Sequence, residues 1–168
     1  MSLPEAPPGF VLARVDADGA SPPFLELRRE GERPGKGVRC DLAAFSLRGG
    51  LSEARAMPVV RAMGSARTVV DATAGLLGDA FLLAAAGLEV TAIERSAAVH
   101  ALAADGLARA LCDARIAALI GGRIQLLHAD AREWLAARIG TAEAPDAVLI
   151  SPSPADVAVG TRTMMVSP

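Results

Sequence analysis

From Thr68 onward the chain alternates short, unbroken apolar runs with longer stretches whose apolar residues recur at helical spacing. The pattern predicts a buried strand over 68–72, a helix over 78–86 closed by Gly87, and a second strand over 88–93. Ser96 is placed to cap a long helix that runs through Ala101, Leu102, Leu107 and Leu111 to about residue 119. A break is expected in it near Gly106 or Asp113, and Gly121-Gly122 stops it. A third strand follows over 123–128, then a helix over 131–139 with Trp134, Leu135 and Ile139 on its apolar face, then a fourth strand over 147–150. Residues 156–166 hold enough for one more strand. Strands this apolar have no wet face, so the alternation predicts an α/β fold with a parallel, doubly wound sheet.

The front of the chain reads differently. Residues 1–8 are proline-rich and read as a loose end. Strand patterns over 10–15, 24–29 and 38–43 are separated by turn residues, among them Asp18-Gly19, Pro22-Pro23 and the glycines of 31–37. This is a small β meander. Gly49-Gly50 closes a glycine loop that includes Arg48. The stretch 52–63 is helical in composition, with Pro58 marking a start inside it and Gly64 an end. The expected division is an N-terminal β meander over 1–50 and a sheet domain over 51–168.

Composition narrows the function. Of 168 residues, 52% are hydrophobic and 21% charged, which is a globular balance. The longest apolar run, Ala80 to Leu88, falls far short of the ~20 residues a membrane span takes. The N-terminus has neither a basic start nor an apolar stretch, so no signal peptide is expected. A net charge of −2 excludes binding to nucleic acid by bulk charge. A local basic cluster remains, in which Arg28, Arg29, Arg33, Lys36 and Arg39 oppose only Glu30 and Glu32. Two cysteines and two histidines, without metal-site spacing, predict no metal. Cys112 reads as a small core residue, and the cysteine usage fits a reducing cytoplasm.

In doubly wound sheets, ligands sit outside the carboxyl ends of the strands. The residue after each predicted strand is therefore informative. The first strand leads into Asp71-Ala72-Thr73-Ala74-Gly75-Leu76-Leu77-Gly78-Asp79, a glycine turn that opens a helix. The second leads into Glu94-Arg95, and a carboxylate about 20 residues after the first strand suits a ribose diol. Asp130 follows the third strand and is an acceptor suited to an adenine amine. Ser151-Pro152-Ser153-Pro154 follows the fourth. Each has a plainer reading: Glu94 as a cap, Asp130 as the N-cap of the helix from Ala131, His128 as a group satisfying backbone, Trp134 as core. Taken in order they favour an adenosine-containing cofactor. The absence of Gly-x-Gly-x-x-Gly favours S-adenosylmethionine (SAM) over a dinucleotide.

Longer runs carry a resemblance. Val69-Val70-Asp71-Ala72-Thr73-Ala74-Gly75, Asp79-Ala80-Phe81, Ile93-Glu94-Arg95, Asp105-Gly106-Leu107-Ala108-Arg109-Ala110 and Ile124-Gln125-Leu126-Leu127-His128-Ala129 together resemble the ribosomal RNA small subunit methyltransferase J family. The likeness reaches forward through Leu25-Glu26-Leu27-Arg28-Arg29 and Gly49-Gly50, and covers about residues 24–154. It implies a Rossmann-like, class I SAM-dependent methyltransferase acting on a guanine 2-amino group of small-subunit rRNA. Gly75 lets the backbone of that turn approach a ligand; the resemblance implies cofactor contacts at Gly78, Asp79, Glu94 and Arg95, with Asp130 and Ala131 near the adenine. Ser151 and Pro152 fall beside the methyl group and the incoming amine.

The sequence departs from that family at four places. Leu77 stands for a glycine, and Gly78 for an arginine. Ser151-Pro152-Ser153-Pro154 stands for Asp-Pro-x-Phe, without its carboxylate or the ring that would stack on a flipped base. The sheet is expected to be C-terminally shortened, leaving the edge at the fourth strand to a second copy or a partner. Two other readings stay open: a degenerate methyltransferase-like interaction module, and a small-molecule methyltransferase.

Overall fold

The computed structural model describes residues 3–16, 22–45, 47 and 49–151. Strand β1 (Phe10–Val15) pairs antiparallel with β2 (Phe24–Arg29), Phe10 facing Arg29 and Val15 facing Phe24. The expected third strand of the meander is reduced to one bridge between Val38 and Leu27, followed by a single helical turn, Leu42–Ala44. The chain leaves β2 after Val38 because Cys40 is held elsewhere: its carbonyl accepts from Arg109 and its thiol donates to the Leu76 carbonyl. The turn before the bridge is fixed by Glu26, whose fully buried carboxylate accepts the N–H groups of Gly35 and Gly37 and pairs with Arg28 at 2.8 Å.

Pro58 splits the expected single helix in two, α1 (Gly50–Ala56) and α2 (Pro58–Ala62). Met57, just before the proline, is extended at ψ 138, as the proline ring requires. The remaining elements are β3 (Thr68–Asp71), α3 (Gly78–Ala85), β4 (Glu89–Glu94), α4 (Ala97–Leu111), α5 (Ala114–Ile120), β5 (Ile124–His128), α6 (Ala131–Ala136) and β6 (Ala147–Leu149). The long helix breaks at Asp113, whose carboxylate caps α5 by accepting the N–H groups of Arg115 and Ile116. Gly106 stays inside α4.

The four later strands form one parallel sheet in the order β5-β4-β3-β6. The chain steps outward from β3 through β4 to β5, then returns to the far side of β3. Winding therefore reverses between β3 and β6, which is the crevice where this fold class binds ligands. Asp146 sets the register there. One of its oxygens accepts the N–H groups of Thr68 and Arg67, each at 2.8 Å, and the Thr68 hydroxyl at 3.0 Å. Those bonds, the Thr68 N–H first, hold its carboxyl below the usual carboxylate range. The core between sheet and helices is aliphatic and small, with Val69, Leu77, Ala80, Phe81, Leu83, Ala92, Ile120 and Leu149 almost fully buried.

Three expectations on packing need correction. Helix α6 ends at Ala136 and buries none of its residues, so Ile139 lies beyond it and is 72% exposed. Trp134 is only half-buried, with the Arg138 guanidinium 4.0 Å above its ring. Cys112 is exposed, because it is the C-cap of α4, where the helix is interrupted before Asp113. Residues 156–166 lie outside the described residues. No described helix is long and apolar enough to cross a membrane.

The front segment docks on α4 through the Asp105-to-Arg109 stretch. Asp105 accepts the Leu25 N–H at 3.0 Å and the Arg109 Nε–H at 2.9 Å. Arg109 also donates to the Cys40 carbonyl. Gly106 lies directly beneath Cys40: a Cβ there would come within 2.8 Å of that carbonyl oxygen. This motif is therefore a packing seam between the front segment and the sheet domain.

Candidate functional site

The turn after β3 is pinned to the end of β4. Thr73 N–H donates to Asp71 at 3.2 Å, Ala74 N–H to the Ile93 carbonyl at 3.1 Å, and Gly75 N–H to Glu94 Oε2 at 3.1 Å. Gly75 takes a left-handed φ of 51, natural for glycine. Leu77 does the same at φ 66 and is the one non-glycine residue with positive φ among the described residues. That conformation costs about 1 kcal/mol in a side-chain-bearing residue. The Leu77 side chain is fully buried in the core, which offsets the cost. Leu77 therefore keeps a glycine-like backbone and turns its bulk into the core.

The front segment supports this turn from outside. The Cys40 thiol donates to the Leu76 carbonyl at 3.2 Å. Burial pushes that thiol up to about 12, so it stays protonated and a donor. Phe45 stacks on Phe81 with ring centroids 5.3 Å apart and reaches within 3.4 Å of where a Cβ on Gly78 would stand.

Glu94 sits at the tip of β4, opposite His128 of β5. Its Oε1 accepts the Ser96 N–H at 2.7 Å while Oε2 takes Gly75, so one carboxylate ties the turn to the start of α4. Each oxygen keeps a further lone pair. Arg95 is exposed, and its carbonyl meets His128 Nε2 at 3.1 Å, the backbone role expected of that histidine. The His128 ring lies 5.2 Å from that of His100. Burial first, then the neighbouring ring, lowers the pKa of His100. Asp130 is the N-cap of α6, accepting the Arg132 N–H at 2.9 Å, and the Arg132 side chain grips its other oxygen at 2.8 Å. These bonds hold its carboxyl well below the usual range. Ala131 is the first residue of that helix.

Across the crevice stands Ser151, two residues beyond β6. Its N–H donates to Thr73 Oγ1 at 2.8 Å and its hydroxyl to Asp79 Oδ2 at 3.0 Å. Asp79 lies in the first turn of α3. Pro152 and Arg48 lie outside the described residues.

Asp71 closes the site from below. It is 2% exposed, and its pKa is raised to about 7. Burial is the main cause; the charges of Asp79 and Glu94 add to it, and the Thr73 N–H works against it. The native state thus holds a proton between about pH 4 and 7, where the unfolded chain has released it. The stability this contributes is full below the unfolded value and is lost as pH rises through 7. Asp71→Asn mimics the protonated form. Its stability relative to the parent, followed by urea unfolding, is expected to improve from about pH 5 to about pH 8. A difference that does not change with pH would contradict this.

The site residues from the sequence that are described therefore meet along one edge of the sheet. Sequence reasoning gave no weight to Thr73, which anchors Ser151, or to Cys40, which props the turn. A hydroxyl-bearing residue inside a strand-end turn was the available sign for Thr73; Cys40 had none. The basic cluster is thinner than its sequence suggests. Arg28 is committed to Glu26, and Arg39 pairs with Asp41 and lies 4.4 Å over the Phe24 ring. Arg29, Arg33 and Lys36 remain exposed. A cleft of about 660 Å³ opens at the other end of the strands, lined by Arg67, Glu89, Arg123 and Trp134 among others. It contains none of the strand-end groups above.

What the edge offers is an acceptor carboxylate over a glycine turn, uncapped N–H groups at the start of α3, and a second carboxylate in its first turn. The set suits a ligand with a diol, an anionic end and a cationic centre.

The comparisons with known proteins agree. Residues 19–156 match a family model described as "Putative SAM-dependent methyltransferase". A ribosomal RNA small subunit methyltransferase J of Aeromonas hydrophila is 46% identical over 104 residues, 62% of this chain and 41% of the relative. One from Vibrio vulnificus is 40% identical over 136 residues, 76% of this chain and 52% of the relative. The crystal structure of a SAM-dependent methyltransferase from Neisseria gonorrhoeae superposes with a TM-score of 0.61 at 34% identity, over 79% of this chain and 53% of that one. The chain spans about half the length of the curated relatives it matches.

Proposed function

We infer function from membership: the chain belongs to the SAM-dependent methyltransferase family, and its reaction is methyl transfer from SAM to the 2-amino group of a guanine in small-subunit rRNA. The observation that supports this most is the meeting of Glu94, the Gly75 turn and Ser151 at the point where the sheet reverses its winding.

The residues present fit the cofactor. Glu94 has lone pairs to spare for both ribose hydroxyls. Asp130 and Ala131 border the adenine side, and Arg95 flanks Glu94. The backbone from Gly75 to Gly78 allows close approach, and the N–H groups opening α3 suit the methionine carboxylate. The Asp79 oxygen not given to Ser151 would accept from the methionine ammonium. When bound, the cofactor supplies an electrophilic methyl group on a sulfonium. Asp79 puts negative charge behind that end of the site. Ser151 accepts an N–H of the incoming amine and turns its lone pair toward the methyl group, and positioning of this kind is most of what amine methylation asks of a protein. The exposed Arg29, Arg33 and Lys36 serve as phosphate contacts, which place the RNA without reading it.

Incubating the full chain with tritiated SAM and protein-free small-subunit rRNA tests the reading. Label recovered as N2-methylguanosine after nuclease digestion is the expected result. Cofactor binding with no label in the RNA would turn the assignment toward the interaction module, and label only in small molecules toward a different acceptor.

A further inference from the structure

By the resemblance read from the sequence, Ser151 stands where a carboxylate is expected at the end of β6, and the structure places one directly behind it. Ser151 Oγ donates to Asp79 Oδ2 at 3.0 Å, and Ser151 N–H donates to Thr73 Oγ1 at 2.8 Å. Asp79 belongs to α3 and Thr73 to the turn after β3, so both anchors reach Ser151 from across the crevice.

A hydroxyl carries one proton and two acceptor lone pairs. A free serine beside an amine can donate to the nitrogen lone pair, which would occupy the electrons that must attack the methyl group. Here the proton is committed to a carboxylate. The Ser151 oxygen is left as an acceptor only, and the charge behind it strengthens its pull on an N–H. The Thr73 bond holds the Ser151 backbone in the same register. Together these contacts fix which face of Ser151 the acceptor meets.

We infer that Asp79 is a positioning residue that acts through Ser151, and that the Ser151–Asp79 pair takes the place of a single carboxylate in selecting an amino group as methyl acceptor. The inference rests on the methyltransferase reading above. It differs from a cofactor contact in what it predicts: Asp79 should matter at the methyl position only while Ser151 is there to transmit it.

The test needs no turnover. Sinefungin carries an amino group where SAM carries its methyl group, whereas S-adenosylhomocysteine carries nothing there. Calorimetry with both ligands on the full chain gives an affinity ratio that reports the acceptor at that position. The parent chain is expected to prefer sinefungin about tenfold, the scale of one charge-assisted hydrogen bond. Ser151→Ala and Asp79→Asn should each bring the ratio to within about threefold of unity. Asp79→Asn added to Ser151→Ala should change the ratio no further. In a Ser151→Asp background, Asp79→Asn should leave the preference for sinefungin in place. A loss common to both ligands in Asp79→Asn reports the methionine end and leaves the ratio as the deciding quantity. A ratio that survives Ser151→Ala, or that Asp79→Asn lowers equally with and without Ser151, overturns the inference while leaving the cofactor site standing. Failure of the parent chain to bind either ligand overturns the methyltransferase reading and the inference with it.

Discussion

Glu94→Ala is expected to weaken binding of SAM and S-adenosylhomocysteine by at least about 100-fold. Two acceptor bonds to a ribose diol are lost, each charge-assisted and worth ~1.5–3 kcal/mol, where 1.4 kcal/mol is tenfold. The loss reaches the protein as well, because the same carboxylate accepts the Gly75 and Ser96 N–H groups. Without it, the turn is released from the end of β4 and the Ser96 N–H before α4 loses its acceptor. Glu94→Gln keeps one carbonyl oxygen and should fall between the two. Calorimetry on the three chains checks the order, and a loss below about fivefold in the alanine variant would remove Glu94 from the cofactor site.

The largest effect on stability is expected from Gly106→Ala. In an ordinary helix interior this change stabilises by ~1 kcal/mol, because alanine is the better helix former. Here the new methyl group would stand within 2.8 Å of the Cys40 carbonyl oxygen and press on the Cys40 side chain. Backbone cannot yield cheaply, so the front segment must lift from α4. We expect a net loss of about 3 kcal/mol, the upper end of the overpacking range, seen as a lower urea midpoint. The Arg109 and Leu25 bonds to this seam would loosen with it, and so would the Cys40 thiol that props the Leu76 carbonyl. A variant as stable as the parent would show that the seam has slack.

The parallel sheet was legible because its strands are continuous apolar runs and its turns carry glycines at their ends. Local chemistry was enough for Ser96, Asp113 and Pro58, each of which acts on the backbone within a few residues. The front segment was harder. A strand pattern over 38–43 cannot reveal that Cys40 will be drawn away to Arg109 and Leu76, since that competition is decided by tertiary packing. Trp134 and Ile139 misled for a related reason: apolar spacing promises a face, but α6 is too short to bury one. At the site, the strand order was enough to place Glu94, Asp130 and Ser151 at the carboxyl ends of their strands. What it could not give was the coupling between them. The bonds from Ser151 to Thr73 and Asp79 join residues far apart in the sequence. Leu77 was the most misleading position, because the letter shows a bulky side chain and not the left-handed backbone that sends it into the core.

The central claim is that the cofactor sits at the carboxyl edge of the sheet. Hydrogen–deuterium exchange of the full chain, with and without saturating S-adenosylhomocysteine, tests it most directly. The account predicts slowed exchange in the turn over 72–79, at 94–96 and at 129–131. Protection confined to the cleft around Arg67, Arg123 and Trp134, or no protection anywhere at millimolar ligand, would contradict it.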